Sequence, residues 1–363
     1  MLKQENKPKI NLRDARQQID QVDLRLLNLL NERTSEVLKI GKIKKAQGAS
    51  YYSPVRERKI LEHLLAENKG PLSDDALTEI MQLIFKVSLS LEKKLKIVYF
   101  GPPATFTHLA AIRCFGRRVN LQPARSIGEI FRQVEKKQAD YGVVPVENST
   151  EGVVNHTLDM FLDSDLKIHT EVILEIAHYL LGKGKLEKIK RVYSHPQALA
   201  QCRTWLEENL PKVELKEVES TARAAQKAVR EINAAAVASE IAASLYHLPI
   251  IAQRIEDTSA NYTRFLVVGR EYAEKSRQDK TSILFSIKDK VGTLCDMLTP
   301  FRKYEINLTK IESRPTKKKA WEYVFFVDFI GHMEDKKVKM ALTELEKQCL
   351  FLKILGSYPQ GEK

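Results

Sequence analysis

Side chains able to bind or move charge fall at informative spacings along this chain. Arg33 and Lys44 stand eleven residues apart, which at 100° per residue puts them within about 20° of one helix face. Their axial separation of about 16 Å is one that two long cationic arms can close around a small anion. Arg16 lies about 25 Å further along the same axis, too far for that ligand but within reach of the site of an antiparallel partner. Ser88 and Glu92 sit one turn apart on a stripe that otherwise presents Ile80, Met81 and Ile84. Plainer readings stand beside these: exposed cations are usually solvated, and a helical serine can bond back to its own helix.

Five polar clusters follow at strand ends: GPPATFTHLA (101–110), PVENSTEGVV (145–154), SHPQALAQC (194–202), ESTARAA (219–225) and NYTRFLVVG (261–269). One such loop merely caps a helix. Five in one sheet predict a shared cleft beyond the carboxyl ends of the strands, where helix N-termini aim N–H groups at an anion. GPPAT lacks the GKS or GKT of a Walker loop, and no strand runs into GxGxxG, so no nucleotide cofactor is expected. Further on, Gly292-Thr293-Leu294 marks a strand-to-helix turn where a small residue lets a ligand approach the backbone. Glu312-Ser313-Arg314-Pro315 closes a later strand.

Three textures position these residues. Residues 1–95 read as an all-helical module. Its first helix, from about Ile10 to Ala46, carries Ile19, Val22, Leu26, Leu27, Leu30, Val37 and Ile40 at helical spacing. At roughly 55 Å it is too long for two short helices of its own chain to cover, so a copy of itself is expected against it. Ser53-Pro54 starts a second helix, and Ser73 with Asp74 and Asp75 a third. Residues 96–270 alternate β-branched runs with helical stretches, which predicts a parallel α/β sheet. Residues 281–363 read β-α-β-β-α-β, the ferredoxin-like order. The charged stretch 270–280 reads as a linker, and Lys317-Lys318-Lys319 as a solvated hairpin.

Composition removes other classes. The chain has 363 residues, enough for two or three cores, and no apolar run long enough to span a membrane. Its net charge of +12 divides as +5, +2 and +5 over residues 1–95, 96–275 and 276–363. No arginine-rich arm exists, so an anionic small molecule suits the excess better than nucleic acid. The four cysteines are far apart, without metal spacing, and read as reduced thiols. The start lacks an apolar signal region, which points to the cytoplasm.

The run ARQQIDQVDLRLLNLLNER, KIGKIKK, SYYSPVRERKILEHL and LIFKVSLSLE resembles the all-α type of chorismate mutase. That resemblance implies a swapped helical dimer holding chorismate with Arg16 (from the partner copy), Arg33, Lys44, Ser53, Arg56, Glu57, Ser88 and Glu92. Lys44 and Glu92 would donate to the breaking ether oxygen. Ser53 and Glu92 depart from the aspartate and glutamine of some members. A glutamate donates only when protonated, which predicts a mutase rate falling as pH rises.

The five loops, in their order, resemble prephenate dehydratase. The resemblance implies a two-lobed, periplasmic-binding-protein-like domain in which Thr263 acts as hydrogen-bond donor to the departing hydroxyl. Arg264 and Phe265 would flank it. Thr105, Asn148, Ser149, Ser194, Gln197, Ser220 and Thr221 would bind carboxylates and carbonyl, and His195 would orient the substrate. Ala104 and Thr107 stand where glycine and serine are usual, predicting a differently shaped first loop.

The last segment resembles an ACT domain, implying phenylalanine held by Gly292, Thr293, Leu294, Glu312, Ser313, Arg314 and Pro315 between two copies. Val291 and Thr293 depart from the commoner proline and alanine. The three likenesses in series are those of the bifunctional chorismate mutase–prephenate dehydratases, cytoplasmic homo-oligomers (dimers, or tetramers) that need no cofactor or metal. Two rivals remain at this stage: a dehydratase whose helices only dimerise, and a non-catalytic ligand sensor. A chain ending near Arg270 is expected to keep activity and lose inhibition.

Overall fold

The computed structural model describes residues 11–258, 260–287, 291–315 and 323–361. The lysine triplet 317–319 lies outside them. Helix α1 (Leu12–Gln47) opens at Asn11, whose side chain accepts from the Arg13 N–H, and closes at left-handed Gly48. Helices α2 (Pro54–Glu67) and α3 (Asp74–Glu92) are capped by Ser53 and Ser73 as expected. Only the C-terminal part of α1 is covered. Val37 and Gly41 are buried, whereas Ile19, Val22, Leu26 and Leu27 are about half exposed.

A first α/β lobe follows. It comprises β1 (Lys96–Phe100), α4 (Phe106–Phe115), β2 (Asn120–Ala124), α5 (Ile127–Glu135), β3 (Tyr141–Asn148), β4 (Gly152–Val153), α6 (Asn155–Asp163) and β5 (Lys167–Glu175). The second lobe holds β6 (Tyr179–Gly182), β7 (Arg191–Ser194), α7 (Pro196–Gln201), α8 (Arg203–Asn209), β8 (Glu214–Glu217), α9 (Thr221–Arg230), β9 (Ala234–Ala238), α10 (Glu240–Tyr246) and β10 (Ile250–Ala252). The chain then re-enters the first lobe as β11 (Tyr262–Gly269). Neither sheet is the parallel one expected. The first runs β2-β1-β3-β11-β5 with β4 beside β3, and β11 is antiparallel to both neighbours. The second runs β10-β6-β9-β7-β8, and β6 is antiparallel to β9 and β10. The cause is topological: a strand returning from the far lobe enters the sheet at the end where the others leave it.

The last unit comprises β12 (Asp279–Ser286), α11 (Thr293–Lys303), β13 (Leu308–Pro315), β14 (Tyr323–Ile330), α12 (Lys336–Glu346) and β15 (Phe351–Pro359). Its antiparallel sheet runs β13-β14-β12-β15, the ferredoxin-like order expected. One face, with Ile283, Phe285, Val327 and Phe329, packs on α11 and α12. The other, with Leu284, Val324, Phe326, Leu355 and Tyr358, shares a core with Ile168, Leu266 and Val268 of the first lobe. The stretch 270–280 is therefore no free tether. Arg270 donates to the Val134 and Ala139 carbonyls, and Lys280 is buried as the second residue of β12. The helical module is docked as well, with Tyr52 and Leu89 in one core with Ile97, Phe115 and Phe265.

Candidate active sites

In the helical module, buried Gly41 lies at the crossing of α1 and α3, where a Cβ would meet Glu92 at 3.4 Å. That approach lets two long side chains of α1 reach residues one turn apart on α3. Arg33 Nη1 donates to Ser88 Oγ at 2.6 Å, and Lys44 Nζ pairs with Glu92 Oε2 at 2.8 Å. Lys44 also donates to the Tyr51 carbonyl at 3.0 Å. Ser88 does bond back to the Ile84 carbonyl, so its proton is spent there and its lone pair receives Arg33. Both readings of Ser88 hold together. Glu57 closes the cluster from α2. Burial pushes its carboxyl up to about 7; Lys86 and Lys44 oppose the rise and Glu92 adds to it. This shift needed three helices to meet and had no signal in the sequence. Arg56 is exposed, Ser53 caps α2 and donates to Glu274 Oε2, and Arg16 is exposed on the uncovered half of α1. Within one chain these three stand apart from the cluster.

The two lobes enclose a cleft of about 920 Å³. Thr105, Gln197, Ser220, Thr221, Asn148, Thr263 and Phe265 line it, with His195 and Thr107. Thr105 caps α4, His195 caps α7 and Ser220 caps α9, so three helix N-termini open onto one space. The expected cleft thus exists, but its loops come from two facing sheets rather than one. Arg125 and Arg223 also line it; they are the cations a dicarboxylate requires, and neither was a candidate, although Arg223 lies inside the ESTARAA cluster. Ala104 adopts φ 72°, the left-handed region where glycine is the cheaper residue. Its buried methyl joins the second lobe's core and its carbonyl accepts from Ser239, which ties the first loop across the cleft.

Hydrogen-bond polarity around Thr263 follows from the backbone. Asn148 Oδ1 accepts from the Thr150 and Glu151 N–H groups, which can only donate. Its Nδ2 therefore faces Asn261 Oδ1 and Thr263 Oγ1, both at 2.8 Å. Asn261 Nδ2 in turn donates to Gln201 Oε1, which leaves His178 Nε2 as the second donor to that oxygen. His178 is buried, and burial lowers its pKa, so the ring is neutral with an unpartnered Nδ1 among the described residues. Thr263 Oγ1 accepts from Asn148, and no acceptor among the described residues takes its proton. A hydroxyl so placed presents O–H to the cleft. His178 was missed because it lies off the five motifs, whereas Asn261 and Gln201 lie inside two of them at positions that were given no role.

Three expected contacts fall elsewhere. Ser149 is exposed and bonds to Ala260 and Tyr262 backbone, fastening the chain beside the cleft. Ser194 is buried and donates to the Val237 carbonyl. Arg264 does not reach the cleft at all. In a strand alternate residues face opposite ways, so Thr263 and Phe265 face the cleft while Arg264 points behind the sheet. There it donates to Glu171 Oε2 and Asp328 Oδ2, both at 2.6 Å, and to the Tyr358 hydroxyl at 2.9 Å. Burial opposes its charge, but Asp328, Tyr358 and Glu171 outweigh that and hold its pKa well above the ordinary value.

In the C-terminal unit, Gly292 caps α11 at φ 83°, and Leu294 beside it is exposed. The pairings Ser286↔Val324 and Val324↔Arg314 put the ends of β12 and β13 at one end of the sheet, one strand apart. The expected effector residues gather there, except that the Arg314 side chain turns to Asp159 of α6 at 3.1 Å.

Three family models match the chain: chorismate mutase type II over residues 15–93, prephenate dehydratase over 97–273 and the ACT domain over 281–347. The chain is 51% identical over 355 residues to the bifunctional chorismate mutase/prephenate dehydratase of Aquifex aeolicus, covering 96% of this chain and 98% of that protein. With the protein of the same name from Stutzerimonas stutzeri the identity is 43% over 357 residues, covering 96% and 98%. Among solved structures, prephenate dehydratase from Arthrobacter aurescens, crystallised with L-Phe, has a TM-score of 0.68 and 33% identity, covering 73% of this chain and 90% of that one.

Proposed function

The chain belongs to the bifunctional chorismate mutase/prephenate dehydratase family, and from that premise we propose where each reaction takes place. The protein is an isomerase and a lyase of phenylalanine biosynthesis. It turns chorismate into prephenate, then prephenate into phenylpyruvate with loss of water and carbon dioxide. A sensor without catalysis is thereby set aside.

Chorismate is assigned to the cluster of Arg33, Lys44, Glu57, Ser88 and Glu92. The rearrangement is unimolecular, so the protein holds the compact conformer and stabilises charge on the ether oxygen. Arg33 takes a carboxylate, Lys44 donates to that oxygen, and Glu92 stands beside it as the second candidate donor, able to donate only where it carries a proton. The 2.8 Å Lys44–Glu92 contact carries this assignment, because it sets the two side chains at one point. A second copy of the chain is assigned to the bare half of α1, where the exposed apolar stripe and Arg16 support a swapped dimer.

Prephenate is assigned to the cleft. Arg125, Arg223 and the helix N-termini take its carboxylates, and Thr263 donates to the hydroxyl on the ring. As that hydroxyl leaves with a proton from the medium, the ring carboxylate's C–C bond supplies the electron pair that completes the aromatic ring. Thr263 is too weak an acid to give up its proton, so its part is to hold and polarise the leaving oxygen. The carrying observation is the Asn148–Thr263 hydrogen bond at the cleft wall. Phenylalanine, assigned to the end of the C-terminal sheet, acts as feedback inhibitor, and we place the enzyme in the cytosol. Purified protein given chorismate should release phenylpyruvate. Thr263→Ala should stop the sequence at prephenate, while Arg33→Ala should spare conversion of added prephenate. Loss of both activities from either folded variant would overturn the two-site assignment.

A further inference from the structure

The wall of the dehydratase cleft and the regulatory sheet are built back to back on one pair of strands. Thr263 of β11 stands opposite Asn148 of β3, and Arg264 stands opposite Glu147. The first pair faces the cleft; the second faces the C-terminal sheet. Behind Thr263, Arg264 pairs with Asp328 of β14 at 2.6 Å. Behind Asn148, Glu147 Oε2 pairs with Lys310 of β13 at 2.7 Å. Lys280 of β12 completes the contact by holding Glu171, which also pairs with Arg264, while Glu147 stands 3.7 Å from the same guanidinium. Arg264, Lys280, Glu171 and Asp328 balance in charge and are flanked by Leu266, Leu284, Phe326 and Tyr358. Lys310 lies two residues before Glu312 on the strand assigned to the effector, on the same face as Arg314 and its partner Asp159.

We propose that these ion pairs are a grip by which the C-terminal sheet sets the Asn148–Thr263 geometry, and that effector inhibition of the dehydratase travels through them. Arg264 and Glu147 are then positioning residues rather than substrate contacts. Close-packed sheets do not deform smoothly, so a small movement of β13 and β14 is passed to the strands they hold. The proposal rests on reading Thr263 as the donor and phenylalanine as the effector.

The test uses the full-length protein. Lys310→Met keeps length and removes the charge from a pair whose acid is partly exposed. Phenylalanine binding by calorimetry should stay within about threefold of wild type, while the fraction of the variant's own uninhibited dehydratase turnover that remains at saturating phenylalanine rises about fivefold or more. Asp328→Asn, without effector, should lower dehydratase kcat about tenfold with KM unchanged and mutase kinetics untouched. If that variant does not fold, Tyr358→Phe, which removes one acceptor of Arg264, should show the same split at smaller size. A Lys310→Met protein that binds phenylalanine and is inhibited to the wild-type floor overturns the route of inhibition. Unchanged kcat in folded Asp328→Asn or Tyr358→Phe overturns the positioning role. If wild type itself neither binds nor responds to phenylalanine, the effector reading falls, and the kcat test still decides the grip.

Discussion

Single residues here act through the polarity of their neighbours. Thr263 is an ordinary hydroxyl until Asn148 occupies its lone pair, and Asn148 is oriented by two backbone N–H groups. Asn148→Ala should therefore cost dehydratase turnover about 10²-fold, and the double variant with Thr263→Ala little more than the Thr263→Ala single, since Asn148 acts only by orienting that hydroxyl. Steady-state kinetics of the four proteins check this. In the mutase cluster, Glu57 is the pH-sensitive group, with burial lifting it from 4.5 to about 7. Below that value it is a neutral donor; above it, an anion beside Glu92 and a dianionic substrate. The KM for chorismate should rise from pH 6.5 to 8.5 in wild type and stay flat in Glu57→Gln. A carboxyl raised on folding binds more protons folded than unfolded, so the wild type loses stability between about pH 4.5 and 7. The Tm of Glu57→Gln relative to wild type should rise over that window; a constant difference would refute the shift. Glu92→Gln is the companion case: it keeps a donor beside Lys44 and should change kcat rather than KM.

Among the elements, α1 is left unfinished by the described residues of its own chain. It carries Arg33 and Lys44 on its covered part and Arg16 beside exposed Ile19 and Val22 on the bare part. Leu26→Glu with Leu30→Glu should break a dimer formed along that stripe, read by light scattering. Mutase activity should then fall about 100-fold, the order of loss when a bound anion forfeits a charged partner. Dehydratase activity should remain. A variant that stays dimeric, or a monomer with full mutase activity, would rule out the swapped arrangement. β11 is the second decisive element. Because it runs against its neighbours, Thr263 is at the start of its strand and still meets Asn148 at the end of β3.

At the scale of the molecule, the modules are not beads on a string. The sequence predicted that a chain ending near Arg270 would be active and merely insensitive to phenylalanine. The shared core changes that expectation. Removing β12 to β15 would strip Leu284, Phe326 and Tyr358 from Leu266 and Val268, bare that apolar face to water, and take Asp328 from Arg264 and Lys280 from Glu171. Each large apolar side chain left exposed rather than buried forfeits about 1.5–3 kcal/mol, so a few of them are a large part of a domain's stability. That truncated chain should be insoluble or unfold at markedly lower temperature, as thermal denaturation would show. A stable, soluble product would contradict the docking described here.

What was legible from the sequence was whatever local chemistry writes along the chain. Helix caps at Ser53 and Ser73, the periodicity of α1, the β-α-β-β-α-β order and the hydroxyl-rich loops all depend on residues within a turn or two of each other. So did the family resemblance, whose motifs are runs of neighbours. Strand direction, the inward turn of Ser194, the outward turn of Arg264 and the rise of Glu57 were not. Each depends on which distant segment comes to lie alongside: Val237 beside Ser194, Asp328 behind Arg264, Lys86 and Glu92 around Glu57. The Thr-Arg-Phe run reads as one motif, yet strand alternation sends its arginine to the opposite side of the sheet from its threonine. Composition and spacing settle which chemistry a chain can do; only packing across long separations decides which face, which partner and which protonation state each residue has.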